Sequence, residues 1–167
     1  PRKALPGDLL YLAGDRWGRT GAAIRAHYEG RSLEGFPKIR EAAFYPLPRL
    51  ELLALSGLLR GSLDSSDGLA ETLWQLSELG VRVELEVLPL YPDVLAFAGS
   101  EEAALELVLY GGEEFEAVLV VPQEGAAAVE ARAKAKGLPL FRVGRVVAGE
   151  GVYLRGAPLP RKGYAHF

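Results

Sequence analysis

The chain is expected to fold as α+β, a mixed β-sheet with helices packed on it. Two strand patterns and their order predict this. Ala117-Val118-Leu119-Val120-Val121 is apolar throughout and of strand length, which suits a strand buried on both faces. Val81-Arg82-Val83-Glu84-Leu85-Glu86-Val87 alternates strictly, which suits a strand with one wet face. Strands and helical periodicities are interleaved without a clean β-α-β alternation, and this favours α+β.

At 167 residues the chain is long enough for one domain with a real core. Hydrophobic residues at 49% and charged residues at 25% are ordinary for a globular protein. A net charge of −3, without blocks of like charge, gives no electrostatic reason to propose nucleic acid or an anionic membrane as partner. No apolar run approaches the roughly 20 residues that span a bilayer, and the run after Pro1-Arg2-Lys3 is too short for a signal peptide. Cysteine is absent, so disulfides and thiolate metal sites are excluded, and the cytoplasm is the default compartment. His27 and His166 are too few and too far apart for a zinc motif. The absence of methionine fits a piece of a longer chain. The richness in Ala, Leu, Gly, Arg and Pro points towards a thermophile.

The elements follow in order. Leu9 to Ala13 is a short apolar strand. The glycine-rich stretch Gly14 to Gly21 feeds a helix over Ala22 to Tyr28, with His27 on its surface. The stretch matches neither G-x-x-x-x-G-K-[ST] nor G-x-G-x-x-G, so it reads as a turn and is assigned no ligand. Residues 30–48 read as a long loop, and Arg49 to Arg60 as a helix with Leu50, Leu53, Ala54 and Leu58 on one stripe. Ser62-Leu63 is a short extended piece. A helix ending near Leu79 carries Leu69, Leu73 and Leu76 inward, with Trp74 packed on the core and Gly80 closing it. After the alternating strand, short helices are expected over Asp93 to Ala98 and Glu101 to Leu109. Gly111-Gly112 marks a tight turn or a close backbone approach before the buried strand. Gln123 to Lys136 is a helix in which Glu130 supports Lys134. Phe141 to Val147 and Val152 to Leu154 are strands joined as a hairpin. The aromatic, basic tail Arg161 to Phe167 is expected to dock.

One stretch carries candidate chemistry: Leu63-Asp64-Ser65-Ser66-Asp67-Gly68-Leu69. Two carboxylates flank hydroxyls just where a helix begins. Hard cations such as Mg²⁺ take one or two carboxylates together with phosphate oxygens and water. A helix N-terminus offers N–H groups and a positive dipole end to phosphate. Asp64 and Asp67 could therefore hold a metal–nucleotide phosphate, with Ser66 donating to a phosphate oxygen. The other reading is local: Asp67 or Ser66 caps the helix.

Taken together, the segments resemble the C-terminal domain of thiamine-monophosphate kinase, in the superfamily of aminoimidazole ribonucleotide synthetase, selenophosphate synthetase and the hydrogenase maturation factor of the same fold. Four ordered matches carry the resemblance: Pro6 to Tyr11 with the opening strand, Leu63 to Leu69 with D-x-S-D-G-L, Gly111 to Glu116 with G-G-E-D-Y-E, and Gly163 to Phe167 with the closing G-aromatic-D-H-F. The resemblance implies an ATP- and Mg²⁺-dependent kinase that phosphorylates thiamine monophosphate. Asp64 and Asp67 would ligate Mg²⁺ and Ser66 would touch ATP. Glu113 would contact the substrate, and Tyr164, or alternatively Phe167, would stack on its cationic thiazolium. It also implies an N-terminal domain and a homodimer, so that this chain would be the C-terminal half of a two-domain kinase, inactive by itself. Ala165 stands where the family has Asp, Glu114 where it has Asp, and Gly18-Arg19-Thr20 where it tends to have Gly-Asp-Ser. These departures leave open a kinase or synthetase with another acceptor, or a binding subunit without catalysis.

Overall fold

The computed structural model describes residues 3–44, 50–112 and 116–162. Among the described residues, seven strands form one sheet: β1 (Leu9–Ala13), β2 (Gly61–Asp64), β3 (Val81–Leu85), β4 (Ala117–Val121), β5 (Leu140–Ala148), β6 (Val152–Leu154) and β7 (Ala157–Pro158), in the order β2-β4-β1-β5-β3-β6-β7. Among these strands β3 and β6 pair in parallel, and the other neighbours are antiparallel. The sheet is mixed and carries helices, so the expected α+β class is what the chain forms.

Position in the sheet explains the strand patterns. β1 and β4 are central and covered on both faces. Leu10, Leu12, Val118 and Val120 face one core with Leu69, Leu73 and Leu76 of α3 (Leu69–Ser77) and Val108 of α5 (Glu101–Tyr110). Tyr11, Leu119 and Val121 face another, with Val129 and Ala133 of α6 (Ala126–Ala135). Two-sided burial is why both strands are apolar at nearly every position. β3 buries Val81, Val83 and Leu85 on the first core, while Arg82 and Glu84 pair with each other at 3.1 Å away from it. A third cluster draws its buried residues from helices alone. It joins Ala22, Ala23 and Ala26 of α1 (Arg19–Glu29), Ile39 of α2 (Pro37–Phe44), Val94 and Phe97 of α4 (Pro92–Ala98) and Leu107 of α5.

Four local expectations are corrected. The expected loop over 30–48 contains α2. Pro37 is its first residue, where proline's missing N–H costs nothing and its fixed φ favours the helix. The segment expected as a helix over Arg49 to Arg60 is a 3₁₀ helix, Leu50–Leu58. Leu52, Leu55 and Leu58 recur every third residue, the 3₁₀ period, and turn towards the α6 core, whereas Leu53 is 74% exposed. β5 and β6 do not form a hairpin, because β3 lies between them in the sheet. The hairpin is β6–β7, whose two turn residues, Arg155 (φ 50°) and Gly156 (φ 82°), are both left-handed, as a type I′ turn requires. Finally, Glu130 does not serve Lys134. Its Oε2 accepts from the Tyr11 hydroxyl at 2.5 Å and from Arg142 at 2.9 Å, tying α6 to β1 and β5.

That tie makes stability acid-sensitive. The Tyr11 hydroxyl, and then Arg142, hold the Glu130 carboxyl below its ordinary value of 4.5. Because the folded-state pKa is depressed, the stabilisation is complete above the unfolded value and is lost as pH falls through the folded one. Urea midpoints measured across the range below 4.5 should therefore fall more steeply for the wild type than for Tyr11→Phe. Parallel acid limbs would remove the bond from the account.

Candidate functional site

Three of the motifs meet at one end of the sheet, and strand register brings them there. Ala117, the first residue of β4, pairs with Ala13 at the end of β1 on one side and with Asp64 at the end of β2 on the other. The glycine-rich stretch after β1 and the aspartate motif after β2 therefore leave the sheet side by side. The far end of β1 has another task. There the buried Asp8 accepts from the Leu5 N–H at 2.9 Å and from Arg60 Nε at 2.5 Å, and closes a structural turn.

The aspartate motif is a turn between β2 and α3. Asp64, Ser66 and Asp67 are exposed, while Ser65 is fully buried. Ser65 donates to the Glu116 carbonyl through its N–H and through its hydroxyl, both at 3.0 Å. Asp64 Oδ1 accepts from the Ser66 N–H at 3.0 Å. The helix then starts after Gly68 (φ 94°), which stands at its N-cap, with no side chain capping it. The local reading of Asp67 or Ser66 as the cap therefore fails. Neither the Asp67 carboxylate nor the Ser66 hydroxyl has a hydrogen bond among the described residues.

Close backbone approaches bring the glycine pair to the same place. A Cβ on Gly68 would lie 3.6 Å from the Gly112 Cα, and one on Gly21 only 2.8 Å from the Gly111 Cα. The first gap is ordinary contact. The second leaves no room for a side chain between α1 and the end of α5. Close approach is realised at Gly111, and Gly112 has the positive φ of 78° that a tight turn uses.

The glycine-rich stretch is anchored from inside. Trp17 is fully buried and donates from Nε1 to the Ala13 carbonyl at 3.2 Å. The backbone N–H of Arg16 donates to Glu116 Oε2 at 3.1 Å. Arg19, the basic residue opening α1, is buried and already engaged: with Asp93 at 2.9 Å, with the Asp15 carbonyl at 2.6 Å and over the Tyr91 ring at 4.1 Å. Its role is to hold α1 to α4.

The chain returns across α3 and α5 near its C-terminus. Arg161 pairs with Glu71 at 2.8 Å and with Glu78, and stacks 5.8 Å over Trp74. Lys162 reaches Glu106 at 3.1 Å and lies 4.4 Å from the Tyr110 ring. The Tyr110 hydroxyl donates to the Pro160 carbonyl at 2.8 Å. Burial pushes its pKa up to about 12, so it remains a donor at ordinary pH. The tail docks as expected as far as Lys162.

Of the residues singled out in the sequence, Asp64, Ser66 and Asp67 stand together on one exposed turn. Glu113, Tyr164 and Phe167 lie outside the described residues. Among the described residues, no three acidic or histidine side chains gather to cage a metal. An oxygen-only pair of exposed carboxylates nevertheless fits Mg²⁺, which keeps waters and phosphate oxygens as its remaining ligands. Glu116 is the residue that motif reading passed over. Its position within a match was visible in the sequence, but its burial and its contacts 51 and 100 residues away were not.

Residues 6–157 match the family described as AIR synthase related protein, C-terminal domain. The chain belongs to this family. The thiamine-monophosphate kinase of Pyrococcus horikoshii is 30% identical over 156 residues, covering 91% of this chain and 46% of that protein. The crystal structure of tt0281 from Thermus thermophilus superposes with a TM-score of 0.95 at 96% identity, covering 96% of this chain and 53% of that one. AaThiL complexed with AMPPCP and TMP shares the fold, with a TM-score of 0.80 at 24% identity over 98% of this chain and 52% of that one. The chain spans about half the length of the relatives it matches. Among the described residues, no helix is long and apolar enough to cross a membrane.

Proposed function

We propose that this chain is a single domain forming the C-terminal half of a cytoplasmic, homodimeric, thermophilic two-domain kinase that phosphorylates thiamine monophosphate with ATP and Mg²⁺. The observation that carries the reading is the Asp64-Ser65-Ser66-Asp67 turn. Its carboxylates are exposed, and neither of them caps the helix behind. Two kinds of relative support the acceptor: a kinase named for thiamine monophosphate, and a protein of this fold complexed with AMPPCP and TMP.

In the proposed site Asp64 and Asp67 would hold a Mg²⁺, which when bound would supply charge neutralisation for the transferring phosphoryl group. The Ser66 hydroxyl and the N–H groups of the first turn of α3 would donate to phosphate oxygens. An oxygen of the thiamine phosphate forms the new bond to phosphorus as the bond to ADP breaks. Such transfers depend on positioning and charge neutralisation more than on a strong base. Glu113 contacts the substrate, and Tyr164 or Phe167 stacks on its thiazolium. The N-terminal domain supplies the rest of the metal site, so the isolated chain is inactive.

The test is a panel of phosphorylated acceptors offered with Mg²⁺ and ATP to the intact protein from its source. ADP release should depend on thiamine monophosphate and yield thiamine diphosphate. Turnover with a different acceptor would keep the kinase and replace its substrate. Calorimetry that detects no Mg²⁺-ATP binding to the intact protein would leave a binding subunit.

A further inference from the structure

We propose that Glu116 is the positioning residue of this site, coupling the glycine-rich loop to the aspartate turn. The inference rests on the reading of Asp64 and Asp67 as metal ligands, and it concerns how they are held. Glu116 is 2% exposed, an unusual place for a carboxylate unless it is well bonded. Its side chain reaches one loop and its main chain the other. Oε2 accepts from the Arg16 N–H at 3.1 Å, and the carbonyl accepts both donors of Ser65 at 3.0 Å. Ser65 lies between the two aspartates and turns inward while they turn outward, so fixing Ser65 fixes the direction of both.

Gly14 is shaped to admit this carboxylate. A Cβ there would fall 1.7 Å from Glu116 Oε2. Any side chain at position 14 would evict the carboxylate from its seat. Its φ of +98° adds backbone strain, but Gly7 has φ +97° with nothing within 4 Å and so isolates that strain as a control. Partners that orient metal-binding carboxylates typically change metal affinity about 10- to 100-fold when removed.

The experiment uses the intact protein and Mn²⁺ as a paramagnetic stand-in for Mg²⁺. Mn²⁺ affinity is read by electron paramagnetic resonance, and loop opening by amide hydrogen exchange. Glu116→Ala and Gly14→Ala should each weaken Mn²⁺ binding about tenfold or more. Both should speed exchange at Arg16 and across residues 64–67 together. Glu116→Gln keeps an acceptor oxygen for the Arg16 N–H and should recover most of the affinity. Gly7→Ala should leave it unchanged. Wild-type Mn²⁺ affinity in a folded Glu116→Ala, or equal losses for Gly14→Ala and Gly7→Ala, would overturn the proposal. If Glu116→Ala does not fold, the two glycine variants decide. A wild type that binds no Mn²⁺ removes the metal reading of the aspartates, and the exchange data then decide the coupling alone.

Discussion

Asp64→Asn in the intact protein should lower ATP-dependent turnover about a hundredfold or more, the scale seen when a group that stabilises transition-state charge is removed. The substitution deletes one negative charge and nearly no shape. The asparagine side-chain oxygen can still accept from the Ser66 N–H, so the turn before α3 stays closed. Asp64 is exposed, and its side chain makes no bond to a distant element among the described residues. Stability should therefore move by no more than about 0.5 kcal/mol, as for most surface substitutions. The pairing of a large kinetic loss with an unmoved unfolding midpoint distinguishes a metal ligand from a turn former. Turnover against Mg²⁺ concentration, measured beside a denaturant curve, gives both numbers. Turnover within a few-fold of wild type at saturating Mg²⁺ would take this aspartate out of the mechanism.

Trp17→Ala should have the opposite profile, with a large loss of stability arising from a residue that touches no ligand. Trp17 is fully buried in the core formed by Leu10, Leu12, Leu69 and Val108, and its Nε1 bonds the Ala13 carbonyl. Truncating a buried aromatic to Ala costs about 3–5 kcal/mol, because the cavity closes only partly. A domain of this size has about 5–15 kcal/mol in total. The variant should thus be marginal, with a large fall in its denaturant midpoint. Trp17→Phe keeps most of the packing and leaves the Ala13 carbonyl without this donor, a cost of about 1–3 kcal/mol. If the alanine variant lost no more than the phenylalanine one, the stretch after β1 would be held by its glycine geometry rather than by this anchor.

Much of the architecture was legible because it is written in short-range patterns. The unbroken apolar run Ala117–Val121 declared a strand covered on both sides, and the alternation from Val81 declared one covered on a single side. Helical spacing located α3 and its inward leucines. Asp64, Ser66 and Asp67 stood out because carboxylates and a hydroxyl at a helix start either cap it or bind a metal–phosphate. The 3₁₀ geometry of Leu50–Leu58 escaped, since a leucine-rich segment offers both a three- and a four-residue stripe and only packing chooses between them.

By itself the sequence determined which faces are apolar, where the chain turns and which residues bear candidate chemistry, because each of these depends on neighbours a few positions away. The tertiary structure alone decided that β3 lies between β5 and β6, that Glu130 serves Tyr11, and that Glu116 joins two loops that precede it by 51 and 100 residues. Periodicity reports that a residue is buried but not against what. The partner is chosen by contacts between distant segments, whose energies exist only once the sheet has closed.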